Sequence, residues 1–323
     1  MRKIFFVVFF LVACGDLFAQ DSTTFSSQIY GYKRDMVYYD CLQSPFIRQE
    51  FYTNPGEDHT YTFKTDNLVS ISVNGAVNFV LQPKDSLSAV IKYEGRRVQS
   101  VSLSGTDKAL SANSIIWDLE LYKRLKKYRP QLLGCVALDV KPKARIEDSK
   151  DLHNKTVEML NKAGNTITLE AKNYILSDIE GAVYNSFMEY PVMYADVRKV
   201  SIDKQDIGDY WTIMDGVTLR DDQASLASIE YVSMLMRYCF YMNELKAYRE
   251  GKKYSYPSTL EKIYSELTSF YSGNKLDATL FMLISNFIRE GKEIERVEPL
   301  IKEYREKYNI NPKYIEILDS LLQ

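Results

Sequence analysis

Histidine is almost missing from this chain, with only His59 and His153 among 323 residues. A zinc site needs three or four convergent ligands, and neither histidine has a second one at ligand spacing. His59, in PGEDHT, reads as a turn residue, and His153, in KDLHNK, as a helix-surface residue. Cysteine is scarce as well. Cys14, Cys41, Cys135 and Cys239 lie 27, 94 and 104 residues apart, which excludes a CxxC pair for thiol exchange or structural zinc. The 14 glycines are spread thinly, without a glycine-rich phosphate loop or a GxSxG nucleophile elbow. The acids of PGEDH and LQPKDSL lack the regular spacing of a calcium loop, and turn chemistry accounts for them. Asp221 and Asp222, adjacent at a helix start, do not face each other as an acid/base pair would, and capping explains them. No cofactor is implied, and the expectation is a protein without catalytic activity.

Charge of one sign is also missing. Lys and Arg number 41 against 43 Asp and Glu, a formal net charge of −2. Without residues 1–19, which hold Arg2, Lys3 and Asp16, the count is 39 basic against 42 acidic, a net of −3. Neither balance attracts nucleic acid or an anionic membrane as the main partner.

The one long apolar run is at the start. MRKIFFVVFFLVACGDLFAQ opens with two basic residues and ten apolar ones, Ile4 to Ala13. That is short of the roughly 20 residues a spanning helix needs and suits the core of a signal peptide. Two export signals overlap here. LVAC reads as a lipobox, which would acylate Cys14 and make it the first residue after removal of 1–13. LFAQ reads as an ordinary cleavage site after Ala19, leaving a chain that starts at Gln20. Either way the expectation is an exported protein of the periplasm or outer membrane, held to a membrane only by a lipid at Cys14, if at all.

From Phe25 to about Ser104 short segments rich in β-branched and aromatic residues are punctuated by Asn, Asp, Gly and Pro: VYYDCL, TYTFKT, LVSISVNG, VNFVLQP, LSAVIKYEG and VQSVSLSG. In SAVIKYE the residues Ala89, Ile91 and Tyr93 alternate with more polar ones, as on a half-buried strand. Strands so closely spaced predict a small antiparallel sandwich or barrel over 25–105.

After Gly105 the pattern becomes helical. Ile115, Ile116, Leu119, Tyr122 and Leu125 fall close to one helical face, with Pro130 beyond. Further helices are expected over 148–164, over 167–191 stopped by Pro191, and over 221–248, the last taken as the central and most buried one. Three more are expected from Ser258 to Tyr308, with Pro299 kinking the last or marking its start, and a final one capped by Asn311 with Pro312 first. The fold class expected is α+β, a β-sandwich or barrel followed by an irregular helical domain over 108–323.

FVLQPKDSLSAVIKYEG and SLSGTDKALSANSIIWDL resemble the end of an N-terminal domain of exported thioredoxin-like proteins of Bacteroidetes. The residues that carry the likeness are Leu81, Pro83, Asp85, Ser86, Leu87, Gly105, Ala109 and Asn113, with Lys84 where that family usually has Gly. DGVTLRDDQASLASIEYVSMLMRYCF is similar to the family's helical segment. In that family a thioredoxin domain with a CxxC pair follows, whereas this sequence runs to Gln323, about where the linker would begin. The resemblance therefore implies the two accessory domains without the redox domain.

Three functions are weighed on these grounds. The first is a non-catalytic envelope protein that binds an envelope protein or another ligand. The second is a redox accessory acting through a lone thiol; Cys41 stays open for this, while Cys239, inside YVSMLMRYCFYM, reads as core. It demands an exposed thiol of lowered pKa. The third is a glycan-handling protein, suggested by 25 tyrosines and two tryptophans. Trp117 falls on an apolar helix face and reads as core, whereas Trp211, in DIGDYWTIMDG, is left without a clear place.

Overall fold

The computed structural model describes residues 22–34, 36–41, 49–52, 56–291 and 294–323. Cys14 and the expected leader lie outside them. Among the described residues the chain is α+β, eight strands followed by eleven helices. It divides into two compact units, the first reaching Trp117 and including Asn165–Ala171, the second holding Asp118–Gly164 and Lys172–Gln323.

The first unit is a sandwich of two four-stranded sheets. One contains β1 (Thr23–Tyr32), β4 (Asp58–Phe63), β7 (Ser86–Gly95) and β8 (Arg97–Gly105), in the order β4-β1-β7-β8. The other contains β2 (Met36–Asp40), β3 (Gln49–Tyr52), β5 (Val69–Val73) and β6 (Val77–Leu81), in the order β3-β2-β5-β6. Side chains of both, among them Phe25, Tyr39, Ile71, Phe79 and Ile91, form one core. The purely antiparallel sandwich needs one correction: β1 and β7 pair in parallel, with Phe25 opposite Leu87 and Ile29 opposite Ile91. His59 lies in β4 opposite Ser27, not in a turn.

The alternation read in β7 is present, with Leu87, Ala89, Ile91 and Tyr93 all buried. β1 escaped the sequence reading because its inward positions are Thr23, Phe25, Ser27 and Ile29, half of them polar. The structure satisfies the polar ones locally. The hydroxyls of Ser27 and Tyr39 share a 2.6 Å hydrogen bond, and Thr23 Oγ1 accepts from Lys84 N and donates to Gln82 O. A buried hydroxyl costs little when so paired.

Asp85, Lys84, Gly105 and Asn113, singled out in the sequence, take structural roles in this unit. Asp85 closes the β6–β7 turn, accepting from Gln82 N at 2.8 Å and from Thr106 Oγ1 at 3.2 Å. Burial raises the Asp85 carboxyl, and those two hydrogen bonds partly offset the rise. Lys84 sits at φ +70°, a left-handed backbone that glycine adopts freely and other residues pay for. A Cβ on Gly105 would stand 2.0 Å from the Ser86 carbonyl oxygen, so no larger residue fits. From α1 (Asp107–Leu125) the buried Asn113 reaches the outer strand β6, donating to Val80 O and accepting from Val80 N, both at 2.8 Å.

The second unit is helical. After the end of α1 come α2 (Leu132–Ala137), α3 (Pro142–Ala163), α4 (Leu169–Met188), α5 (Tyr190–Arg198), α6 (Gln223–Leu226), α7 (Ile229–Arg249), α8 (Leu260–Phe270), α9 (Gly273–Glu290), α10 (Glu298–Lys307) and α11 (Pro312–Leu321). Pro191 does not end the helical run at 191. It occupies the first turn of α5, where a missing N–H costs nothing. The helix expected over 221–248 is two, because Asp222 caps α6 and Ser228 caps α7 through side-chain oxygens. Pro299 lies in the first turn of α10, and Asn311 caps α11 ahead of Pro312. α7 is not the most buried helix: it has seven buried residues of 21, against ten of 18 in α9 and eleven of 20 in α4. α9 packs against α7, α8, α10 and α11. α4 and α7 approach so closely that a Cβ on Gly181 would lie 2.5 Å from the Glu230 carbonyl carbon.

Tyrosine is the internal staple of this unit. Tyr190, Tyr210, Tyr241 and Tyr271 are buried, and their hydroxyls donate to the carbonyls of Val140, Met188, Tyr210 and Leu235 respectively. Each brings a large apolar ring inside together with a donor for a main-chain acceptor. No helix among the described residues is long and apolar enough to cross a membrane.

Candidate functional site

Several residues singled out in the sequence sit in structural roles. Cys41, Cys135 and Cys239 are all buried. Cys239 hydrogen-bonds the Glu266 carbonyl at 3.8 Å, and burial pushes its thiol up to about 12, the opposite of what an exchange-active thiol requires. Cys135 lies against the guanidinium of the buried Arg145, which also spans the Arg129 carbonyl and Ser186 Oγ. Trp117 packs against the sandwich core. Asp221 faces Lys275 at 3.7 Å, apart from the cap made by Asp222.

His153 is half-buried rather than on a free helix surface. Its Nε2 stands 3.6 Å from Glu180 Oε1, and Arg220 grips the same carboxylate with two hydrogen bonds of 2.8 and 3.2 Å. Burial raises Glu180, but His153 and Arg220 outweigh it and hold the carboxyl below its ordinary value. Nearby on α4, burial raises Asp178, which accepts from Ser228 Oγ at 2.8 Å. Glu230 is raised by desolvation and then by the charge of Asp178, although it keeps solvent contact. These groups tie α4 to the α7 cap, and no group of three metal-ligating side chains occurs among the described residues.

The most distinctive surface is aromatic, and it grows from one stripe of α7. Arg237, Tyr241, Glu244 and Tyr248 are spaced by four, three and four residues, which places them on a single helical face. Trp211 comes to this stripe from the 3₁₀ turn Tyr210–Thr212. Its ring stacks on Tyr248 with centroids 4.7 Å apart and planes at 22°, and it leans on the buried Tyr241 at 6.0 Å. Tyr210 meets Trp211 and Tyr241 edge-on at 4.9 and 5.5 Å. Tyr248, the outer member, is 59% exposed.

The turn that carries Trp211 is fastened on three sides. Asp209 Oδ1 accepts from Trp211 N at 2.9 Å, Tyr210 Oη donates to Met188 O at 2.6 Å, and Tyr210 O accepts from Tyr241 Oη at 2.8 Å. A ring so held loses little conformational freedom when something stacks on it.

A polar edge adjoins the rings. Tyr256, from the connection between α7 and α8, is 41% exposed. Its hydroxyl donates to Glu244 Oε2 and accepts from Arg237 Nη1 at 3.1 Å. Desolvation, then the bond to Glu244, pushes that hydroxyl up to about 12, so it stays a neutral donor at every ordinary pH. Tyr254 packs edge-on against Tyr256 at 4.8 Å and donates to Glu266 Oε2 at 2.5 Å.

Sequence reasoning flagged Trp211 but missed Tyr248 and Tyr256. The 237/241/244/248 spacing was the available signal, hidden because MRYCFYMNELKAY carries aromatic and apolar residues on several faces of the helix. No protein-family model matches this chain, and no curated protein or solved structure matches it.

Proposed function

We propose that this is an exported, non-catalytic binding module of the cell envelope, equivalent to the accessory domains of thioredoxin-like envelope proteins, and that its ligand docks on the Trp211–Tyr248 surface. The observation that carries this reading is an exposed ring, Tyr248, stacked on a tryptophan in a turn that three hydrogen bonds of Tyr210 and Trp211 fasten. Exposed aromatic side chains with few rotatable bonds supply contact area at small entropic cost. Glu244, Tyr256 and Arg237 hydrogen-bond one another, which suits positioning a ligand better than moving protons. The redox alternative loses support from the burial of Cys41, Cys135 and Cys239.

The test is a photo-reactive amino acid at position 248 of the full chain, expressed in its native envelope, with position 133 as an equally exposed control on α2. A discrete adduct at 248 and none at 133 is the expected result. Equal labelling at both positions would sink the assignment. Intact mass of the native protein reports export: an acylated chain starting at Cys14, or one starting at Gln20, is expected, and an unprocessed Met1 start would contradict it.

A further inference from the structure

Resting on the binding-module reading, we propose that the ligand is a neutral carbohydrate, its pyranose C–H face stacked on Tyr248 and its hydroxyls bonded along the Glu244–Tyr256–Arg237 edge. Three observations select this class.

The surface joins a flat aromatic face to a polar edge. A pyranose has the matching two-sided character, with C–H bonds that suit the negative face of an aromatic ring and hydroxyls at its rim. Those hydroxyls both donate and accept, and Glu244, Tyr256 and Arg237 present acceptor and donor groups in one connected run.

The charges around the rings are mixed. Asp209, Asp215 and Arg249 act on Tyr241, and Glu244 and Arg237 act on Tyr210. With Lys246, Glu250, Lys252 and Lys253 beside Tyr248 added, four acids stand against five bases, and Lys252 is paired with Glu250 at 2.7 Å, so neither sign dominates. The carboxylates among them interrupt the continuous basic track that nucleic acid or a polyanionic glycan would require.

Exposed apolar area is small. Among the described residues of 201–258 the large exposed apolar side chains are Ile229, Tyr248 and Tyr256. A stable protein interface wants about 800 Å² from each partner around an apolar centre. A narrow ligand with one stacking face needs much less.

The experiment is calorimetric titration of the full chain with soluble gluco-, xylo-, manno- and chito-hexaoses, and with hexagalacturonate as the anionic comparison. At least one neutral hexaose is expected to bind. Tyr248→Ala should weaken it at least tenfold, while Tyr248→Phe, which keeps the ring, should stay within about threefold of the parent. Both variants change an exposed side chain, and circular dichroism checks their fold. If no neutral hexaose binds, or hexagalacturonate alone does, the carbohydrate inference fails, and so it does if Tyr248→Ala binds like the parent. The adduct at position 248 separates the two levels: an adduct without neutral-sugar binding keeps the module and removes the sugar, and no adduct removes the module.

Discussion

The side-chain amide of Asn113 pairs with both main-chain groups of Val80, accepting from its N–H and donating to its carbonyl at 2.8 Å each. A helix residue thus supplies the hydrogen bonds that a neighbouring strand would make, on the outermost strand of its sheet. An open strand edge invites pairing with another chain, and Asn113 closes part of it. The amide also donates to Ala109 O within α1, which fixes its orientation. Asn113→Ala strands two buried polar groups, each worth about 1–3 kcal/mol, so urea denaturation should show a loss of about 2–6 kcal/mol. A loss no larger than that of the exposed Ser114→Ala would mean that Val80 finds other partners.

Lys84 holds a backbone conformation that suits glycine. Relieving the left-handed strain gains about 1–2 kcal/mol, and the freer unfolded chain returns about 0.4–1 kcal/mol of it. Lys84→Gly should therefore stabilise the protein by roughly 0.5–1 kcal/mol, read as a higher urea midpoint at unchanged slope. A lower midpoint would show that the lysine side chain contributes more than its backbone costs.

Two carboxylates on α4 should respond to pH in opposite senses. Glu180 is depressed in the folded state, so its contribution exists above the ordinary glutamate value and is lost as pH falls through the folded one. Glu180→Gln should thus be less stable than the parent at pH 7, with the gap closing below about pH 4. Asp178 is raised, so its contribution is full below the ordinary aspartate value and fades as pH rises through the raised one. Asp178→Asn should gain on the parent between pH 4 and pH 7. Urea midpoints at three pH values decide both, and parallel profiles for parent and variants would contradict the assignments.

Cys239 should resist alkylation. Its thiol is buried and pushed up to about 12, so the thiolate that reacts is scarce and inaccessible. Mass spectrometry after iodoacetamide treatment should find Cys239 unmodified in the native chain and modified in urea. Rapid native labelling would reopen a redox role.

What sequence alone determined are features fixed by neighbouring residues. The period-two alternation of β7, the caps at Asp222 and Asn311, and the prolines that open α10 and α11 depend on steric and hydrogen-bonding choices within a few positions. Tertiary structure decided the rest. β1 is a strand because β4 and β7 flank it and Tyr39 satisfies Ser27, although its inward pattern is half polar. Asn113 and Val80, 33 residues apart, bond through an approach of helix and strand that no local pattern records. The candidate site needed the fold most of all. Trp211 and Tyr248 are 37 residues apart in sequence, and they stack because the Tyr241 hydroxyl, bonded to the Tyr210 carbonyl, fastens the turn that carries Trp211 onto α7. A side chain's partners across such distances are set by packing, which propensity and spacing do not encode.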